Sequence, residues 1–166
     1  MKTTRILIVF AFLAGFITFQ ACQQASAPAE SYKAEWLGES KQEMIDNIEE
    51  QLQGFSRTMR ETGYRYQELF WAGADENWEY VLYQIEHIEE VLDQGFVRRP
   101  DYRNSARQFT DVALPALEKA AEDGDKAAFD RLFTQLTAAC NTCHAMEEVP
   151  FMMVSQPKTR TSIISF

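Results

Sequence analysis

Four stretches of this chain space their apolar residues three and four apart, and no stretch alternates with period two. That spacing confines the fold to packed helices, because it lays apolar side chains along one helical face, whereas a half-buried strand needs strict alternation. The first stretch covers residues 41 to about 71, with Ile45, Ile48, Leu52, Phe55, Met59, Tyr66 and Phe70 on its stripe and Gly54 and Gly63 inside it. Ala72-Gly73-Ala74-Asp75 reads as a turn, and Trp78, Val81, Leu82, Ile85, Ile88 and Leu92 form the face of a second helix that stops near Gly95. After a loop over 96–103, a third helix spans about 104–122, with Phe109, Val112, Ala113, Ala116 and Ala120 inward and Pro115 placed to kink it or loosen a turn. Gly124-Asp125 ends that helix and caps a fourth, whose face carries Phe129, Leu132, Phe133, Leu136 and Ala139. The expected fold is all-α, an up-down-up-down four-helix bundle joined by short loops.

At 166 residues, 46% hydrophobic and 25% charged, the chain is one domain's worth of globular protein, so disorder and a polytopic membrane fold are both excluded. Residues 1–21 stand apart. Lys2 and Arg5 precede an apolar run over 6–19, the layout of an export signal, and the run falls short of the roughly 18 to 20 apolar residues a spanning helix needs. Export is therefore expected ahead of a permanent anchor. Cys22 follows the small Ala21 and precedes a polar linker, which resembles bacterial lipoproteins and implies a lipid anchor at Cys22 as the sole membrane attachment. Phe19 and Gln20 stand where a branched aliphatic and a small residue are commoner, so ordinary cleavage stays open. The expected organisation is a signal over 1–21, a flexible linker over 22–36, a helical domain over 37–154 and a tail over 155–166, in a periplasmic protein. Losing the signal removes two of the 16 basic residues and none of the 25 acidic ones, leaving 14 against 25 and a net charge of −11. Such a balance argues against nucleic acid and suits a partner with a basic surface.

Two of the three cysteines lie in Cys140-Asn141-Thr142-Cys143-His144. This is the C-x-x-C-H attachment signal for c-type haem. Two thiols at that spacing add across the two vinyl groups of one porphyrin, and the next residue's imidazole reaches the iron from one face. Chance would place the pentapeptide in about one chain in two thousand of this composition, so coincidence is a poor account of it. At 100° per residue, Cys140 and Cys143 continue the stripe of Phe129, Leu132, Phe133 and Leu136, with His144 at its margin, so the cofactor points into the core. One covalent haem c per chain is expected, with His144 as the metal ligand. A structural zinc site would need a fourth ligand, for which the chain offers His87 or a carboxylate, and a thioredoxin-like pair would need a preceding strand. The alternative from another class is a zinc-stabilised or disulfide-stabilised helical binding module without haem.

In the expected topology the haem pole gathers Ile48, Leu52, Phe55 and Met59 from the first helix, Ile88, Leu92 and Phe96 from the second, and Tyr102, Ala106 and Phe109 from the third. Trp71 and Trp78 fall at the opposite pole. Four helices with C-x-x-C-H at the end of the fourth resemble the cytochrome c-prime family. Class I cytochromes c differ, since their motif lies near the N-terminus, and only 22 residues follow His144 here. The resemblance implies thioether bonds at Cys140 and Cys143, His144 as proximal ligand, an apolar side chain over the distal face, and a homodimer. It also implies electron transfer, with a redox partner protein, or binding of a small gas such as NO or CO. The tail beyond Met146 is longer than that family's norm, and residues 150–154 are placed to fold back over a haem edge.

Met59 on the iron would give His/Met ligation and an electron carrier, whereas Leu52 or Phe55 there leaves the sixth position vacant and open to gas. Aligning His144 with the segment from Ile48 to Phe55 favours the vacant site. Arg98 and Arg99 sit at the same pole, to pair with a propionate or to lie in solvent. His87 is off its helix's stripe and reads as a surface residue, Glu89, nearer that stripe, as a carboxylate that snorkels to solvent, and Glu49-Glu50, Glu86, Glu89-Glu90 and Glu147-Glu148 as solvated faces. No set of side chains suggests turnover of a substrate, so the expectation is a binding or electron-carrying protein and no enzyme. If Cys22 is diacylated, Cys22→Ser moves the protein from the membrane to the soluble periplasmic fraction; wild-type protein already in the soluble fraction would show an ordinary signal.

Overall fold

A computed structural model describes residues 34–162 and Ile164. The expected signal, Cys22 and all but the end of the linker lie outside the described residues. The chain divides into two compact units, one ending at Asn47 and the other beginning at Ile48.

In the first unit, Glu35–Leu37 makes one 3-10 turn, and a capping box starts helix α1, Lys41–Leu52. The Ser40 hydroxyl accepts from the Glu43 amide at 3.1 Å, and the Glu43 carboxylate accepts from the Ser40 and Glu39 amides, each at 2.9 Å. Those backbone donors hold the Glu43 carboxyl below its usual range. Asn47 Nδ2 donates to the Trp36 carbonyl at 3.0 Å, tying the turn to α1.

The second unit contains α2 (Phe55–Ala74), α3 (Trp78–Arg98), the short α4 (Tyr102–Ser105), a π-helical turn (Gln108–Ala113), α5 (Leu114–Glu122) and α6 (Lys126–Met146). The described residues include no strand. Helix α2 packs on α3, α3 on α5, α5 on α6, and α6 on α2. The all-helical fold read from periodicity is therefore present.

The expected single helix over 41–71 is two helices. Gln53 takes a left-handed conformation at φ 59°, and Gly54 is extended at ψ −168°, so the chain turns there and α2 starts afresh at Phe55. Ile48 and Leu52, expected in the buried stripe, are 44% and 46% exposed. In the third helix, Pro115 has no N–H to give Asp111, and the turn just before it is widened into the π segment. The loosened turn was legible in the sequence. The short piece ahead of it is tied to the end of α6 by the Ser105 hydroxyl, which donates to the Glu147 carboxylate.

Beneath the motif lies an aromatic stack. Phe133, 1% exposed, meets Tyr66 at 4.8 Å, Phe70 at 5.1 Å and Phe129 at 5.9 Å between ring centroids, and Trp78 meets Phe129 at 5.7 Å. Trp71 and Trp78 thus belong to the end away from Cys140 and Cys143. The tail returns along α2 through Arg160 to Asp75 at 2.6 Å, Thr161 to Gln67 at 2.6 Å, and Ser162 to the buried Glu68 carboxylate at 2.7 Å.

Helices α2 and α3 approach closely at Gly95. A β-carbon there would lie 2.7 Å from Thr58 side-chain atoms and 2.8 Å from the Phe55 ring. Gly95→Ala should therefore destabilise the protein by about 1–3 kcal/mol, read by urea unfolding; an unchanged or raised midpoint would mean the contact yields freely.

Candidate functional site

The last turns of α6 place Cys140, Cys143 and His144 at intervals of three and four, on one side of the helix. Cys140 and Cys143 pack against the core cluster, and both thiols are free. Burial pushes the Cys140 thiol up to about 12, with the nearby Cys143 adding to it. Cys143 is raised as well, by burial and then by the Glu147 charge. Both are neutral thiols at physiological pH.

They form one wall of an apolar pocket of about 120 Å³. That is below the roughly 300–1,000 Å³ of ligand and cofactor sites, so a macrocycle would enter only as the walls part. Helix α2 supplies the wall of Phe55, Met59, Thr62, Gly63 and Tyr66, α3 gives Leu92, the α4 and π segment gives Ala106 and Phe109, and the tail gives Val154. A helix interior loses roughly 0.5–1 kcal/mol by holding glycine in place of alanine. At Gly63 nothing presses for the exchange, since a β-carbon would meet no atom within 4 Å.

The polar groups at this pocket are satisfied. The Thr137 hydroxyl donates to the Phe133 carbonyl at 2.8 Å, so its oxygen accepts from the Tyr66 hydroxyl at 2.7 Å. Thr62 donates to the Thr58 carbonyl at 2.9 Å. His144 Nδ1 lies 2.5 Å from the Met152 carbonyl oxygen. A carbonyl can only accept, so Nδ1 carries the proton, and in the neutral ring Nε2 keeps its lone pair.

Helix α6 ends in a Schellman motif that brings Met152 there. The Val149 amide donates to the His144 carbonyl at 2.8 Å and the Glu148 amide to the Ala145 carbonyl at 3.3 Å, with Glu148 left-handed at φ 60°. The reversed chain is then fastened to α6 by Asn141. Its Nδ2 donates to the Val154 carbonyl at 2.9 Å, and its Oδ1 accepts from the Val154 amide at 2.8 Å.

Of the residues expected from the sequence, the structure brings Cys140, Cys143, His144, Phe55 and Met59 to one pocket, together with Leu92, Ala106 and Phe109. Phe55 and Met59 share a wall, so position along the bundle does not choose between them. Leu52 and Ile48 stand outside the lining because the chain turns at Gln53. Ile88 and Phe96 are buried in the core, and Tyr102 meets the Phe55 ring edge-on at 4.7 Å. Arg98 donates to the Thr58 hydroxyl at 3.0 Å and the Gln94 carbonyl at 3.1 Å, Arg99 to the Arg98 carbonyl at 3.0 Å, and neither lines the pocket. His87 stacks on Tyr83 at 4.1 Å and shares its Nδ1 with the Tyr83 carbonyl, away from the pocket. Glu89 is raised by burial and then by the neighbouring charges of Glu118, Asp93 and Glu86. Val154 lies in the segment 150–154 expected to fold back there, whereas Thr62, Gly63, Tyr66 and Asn141 were not picked out as site residues; a glycine inside a strong helical pattern was the one available signal.

Among the described residues, no group of three or more His, Cys, Asp or Glu side chains is arranged to hold a metal ion by itself. No helix among them is long and apolar enough to cross a membrane. No protein-family model, curated protein or solved structure matches this chain.

Burial pushes the Tyr66 hydroxyl up to about 12, and Tyr80 likewise. Above pH 10 the unfolded chain sheds protons that both phenols keep when folded, so stability falls as pH rises from about 10 to about 12. Tyr66→Phe should cost about 0.5–1.5 kcal/mol at neutral pH and make that alkaline decline shallower, in urea titrations at successive pH values. An unchanged slope would show that Tyr66 ionises as freely folded as unfolded.

Proposed function

We propose that the chain is an exported monohaem c-type cytochrome, which exchanges single electrons or binds a diatomic gas. The observation that carries this reading is the contact of His144 Nδ1 with the Met152 carbonyl oxygen at 2.5 Å, at a pocket that His144 lines together with Cys140 and Cys143. With the Nδ1 proton held there, the neutral ring keeps a lone pair on Nε2 for a metal. Metal-bound histidines characteristically donate their second nitrogen to such an acceptor. The donor set also suits a porphyrin better than a bare ion, since the thiols would bond to carbon and only the imidazole to iron.

In this reading Cys140 and Cys143 would hold haem c by thioether bonds, and His144 would ligate its iron. The group supplies one-electron chemistry at iron, and a coordination position for a small gas where no protein ligand takes it. The chain contributes the rest. Phe55, Leu92, Phe109 and Val154 exclude water, Gly63 leaves room along α2, and the Tyr66–Thr137 pair fixes the pocket floor without an unpaired polar atom. We read α2, α3, the α4–α5 segment and α6 as the four arms of an up-down-up-down bundle, the architecture of the cytochrome c-prime family. Lipidation at Cys22, a periplasmic location and a partner with a basic surface belong to the same proposal.

The sixth position is the open choice on the α2 wall. We favour a vacant site flanked by Phe55, with Met59 as the competing ligand. Protein made with a haem-attachment system should gain the mass of one haem that acidified organic solvent does not extract, and Cys140→Ser with Cys143→Ser should abolish that. An unmodified wild-type mass would end the proposal. The ferrous form should be five-coordinate and bind CO promptly; a six-coordinate low-spin spectrum lost in Met59→Ala would assign Met59 as a ligand and the protein to electron transfer.

A further inference from the structure

Asn141 occupies a spacer position of C-x-x-C-H, where the attachment chemistry asks nothing of the side chain. Yet it makes two hydrogen bonds with the backbone of a residue 13 positions away, at 2.9 and 2.8 Å. Three facts connect that pair to the imidazole. Val154 is two residues beyond Met152, the Met152 carbonyl accepts from His144 Nδ1 at 2.5 Å, and the Met152 amide closes a turn onto the Val149 carbonyl at 3.0 Å. The chain between the helix end and Val154 is thus pinned at both ends, by the Schellman bonds at Val149 and by the amide pair at Asn141. The side chains of Phe151 and Met153 do not hold it, being 79% and 78% exposed.

We propose that Asn141 is the positioning residue for the axial imidazole: by clamping Val154 it holds the Met152 carbonyl on His144 Nδ1, which fixes the ring's tautomer and raises the donor strength of Nε2. This rests on the haem reading above. A ring nitrogen that donates to a carbonyl makes its partner nitrogen more basic, and a more basic axial ligand favours ferric over ferrous iron. Without the clamp, residues 150–154 lose their tie to α6, and water replaces the carbonyl as a looser acceptor.

The experiment uses the full chain with haem attached, and compares wild type with Asn141→Ala, Val154→Pro and Met152→Ala. Val154→Pro removes the amide that Asn141 Oδ1 accepts, breaking the clamp from its other side. Met152→Ala keeps the carbonyl and serves as the control. Asn141→Ala and Val154→Pro should each lower the iron–imidazole stretching frequency of the ferrous protein in resonance Raman spectra and raise the reduction potential. Met152→Ala should leave the stretching frequency at the wild-type value. Haem attached in all four proteins with the same stretching frequency and potential would overturn the role of Asn141 and leave the cytochrome reading intact. A shift in Met152→Ala equal to that in Asn141→Ala would also overturn it, because the side chain and not the carbonyl would then be acting. Wild type without covalent haem would instead overturn the reading on which the inference stands.

Discussion

Helix α6 carries its apolar face through the motif without interruption, and most of the pocket follows from that. Leu136 and Ala139 are buried, Cys140 comes next on the same face, and burial keeps its thiol neutral, at about 12. A charged or strongly polar surface opposite such a thiol would have to be desolvated without compensation. Helix α2 meets the requirement with Phe55, Met59 and Tyr66, and the one hydroxyl among these three is bonded. The close approach of α2 to α3 at Gly95 sets where Phe55 stands, and the stack around Phe133 sets the depth of the floor. Pocket and core are consecutive parts of one apolar layer.

Polar groups are treated differently at the two ends of α2. Near its C-terminal half, the buried Glu68 carboxylate is met by the Tyr80 hydroxyl at 3.1 Å and by Ser162. These are side-chain partners, brought by α3 and by the tail. At the motif the acceptors are mostly backbone carbonyls, and the chain supplies them by reversing direction after α6. A residue other than glycine in the left-handed region costs roughly 1–2 kcal/mol, and Glu148 bears that cost so that the reversal can occur there.

Helix content and the inward placement of Cys140 and Cys143 were legible because both follow from one period counted along one helix. The break at Gln53 was not. The apolar stripe resumes after Gly54 at helical spacing, so periodicity has no means of recording the turn, and the left-handed residue is a glutamine. The misplacement of Leu52 descends from that single omission. Asn141, and the part played by the Met152 carbonyl within the expected fold-back of residues 150–154, escaped notice for a different reason. One acts across a tertiary contact from a position whose identity the motif leaves free, and the other acts through its carbonyl, which every residue has.

The order of synthesis gives the reversal after α6 a further consequence. Residues 147–154 emerge after Cys140, Cys143 and His144 are already made. A chain that stops short of Val154 therefore contains every residue of the motif but lacks the backbone that Asn141 fastens. Its thiols would stand on a complete helix while its imidazole had no fixed acceptor. Presentation of the sulfurs and orientation of the ring are thus separable during synthesis, and only a chain extended past Val154 has the backbone for the second.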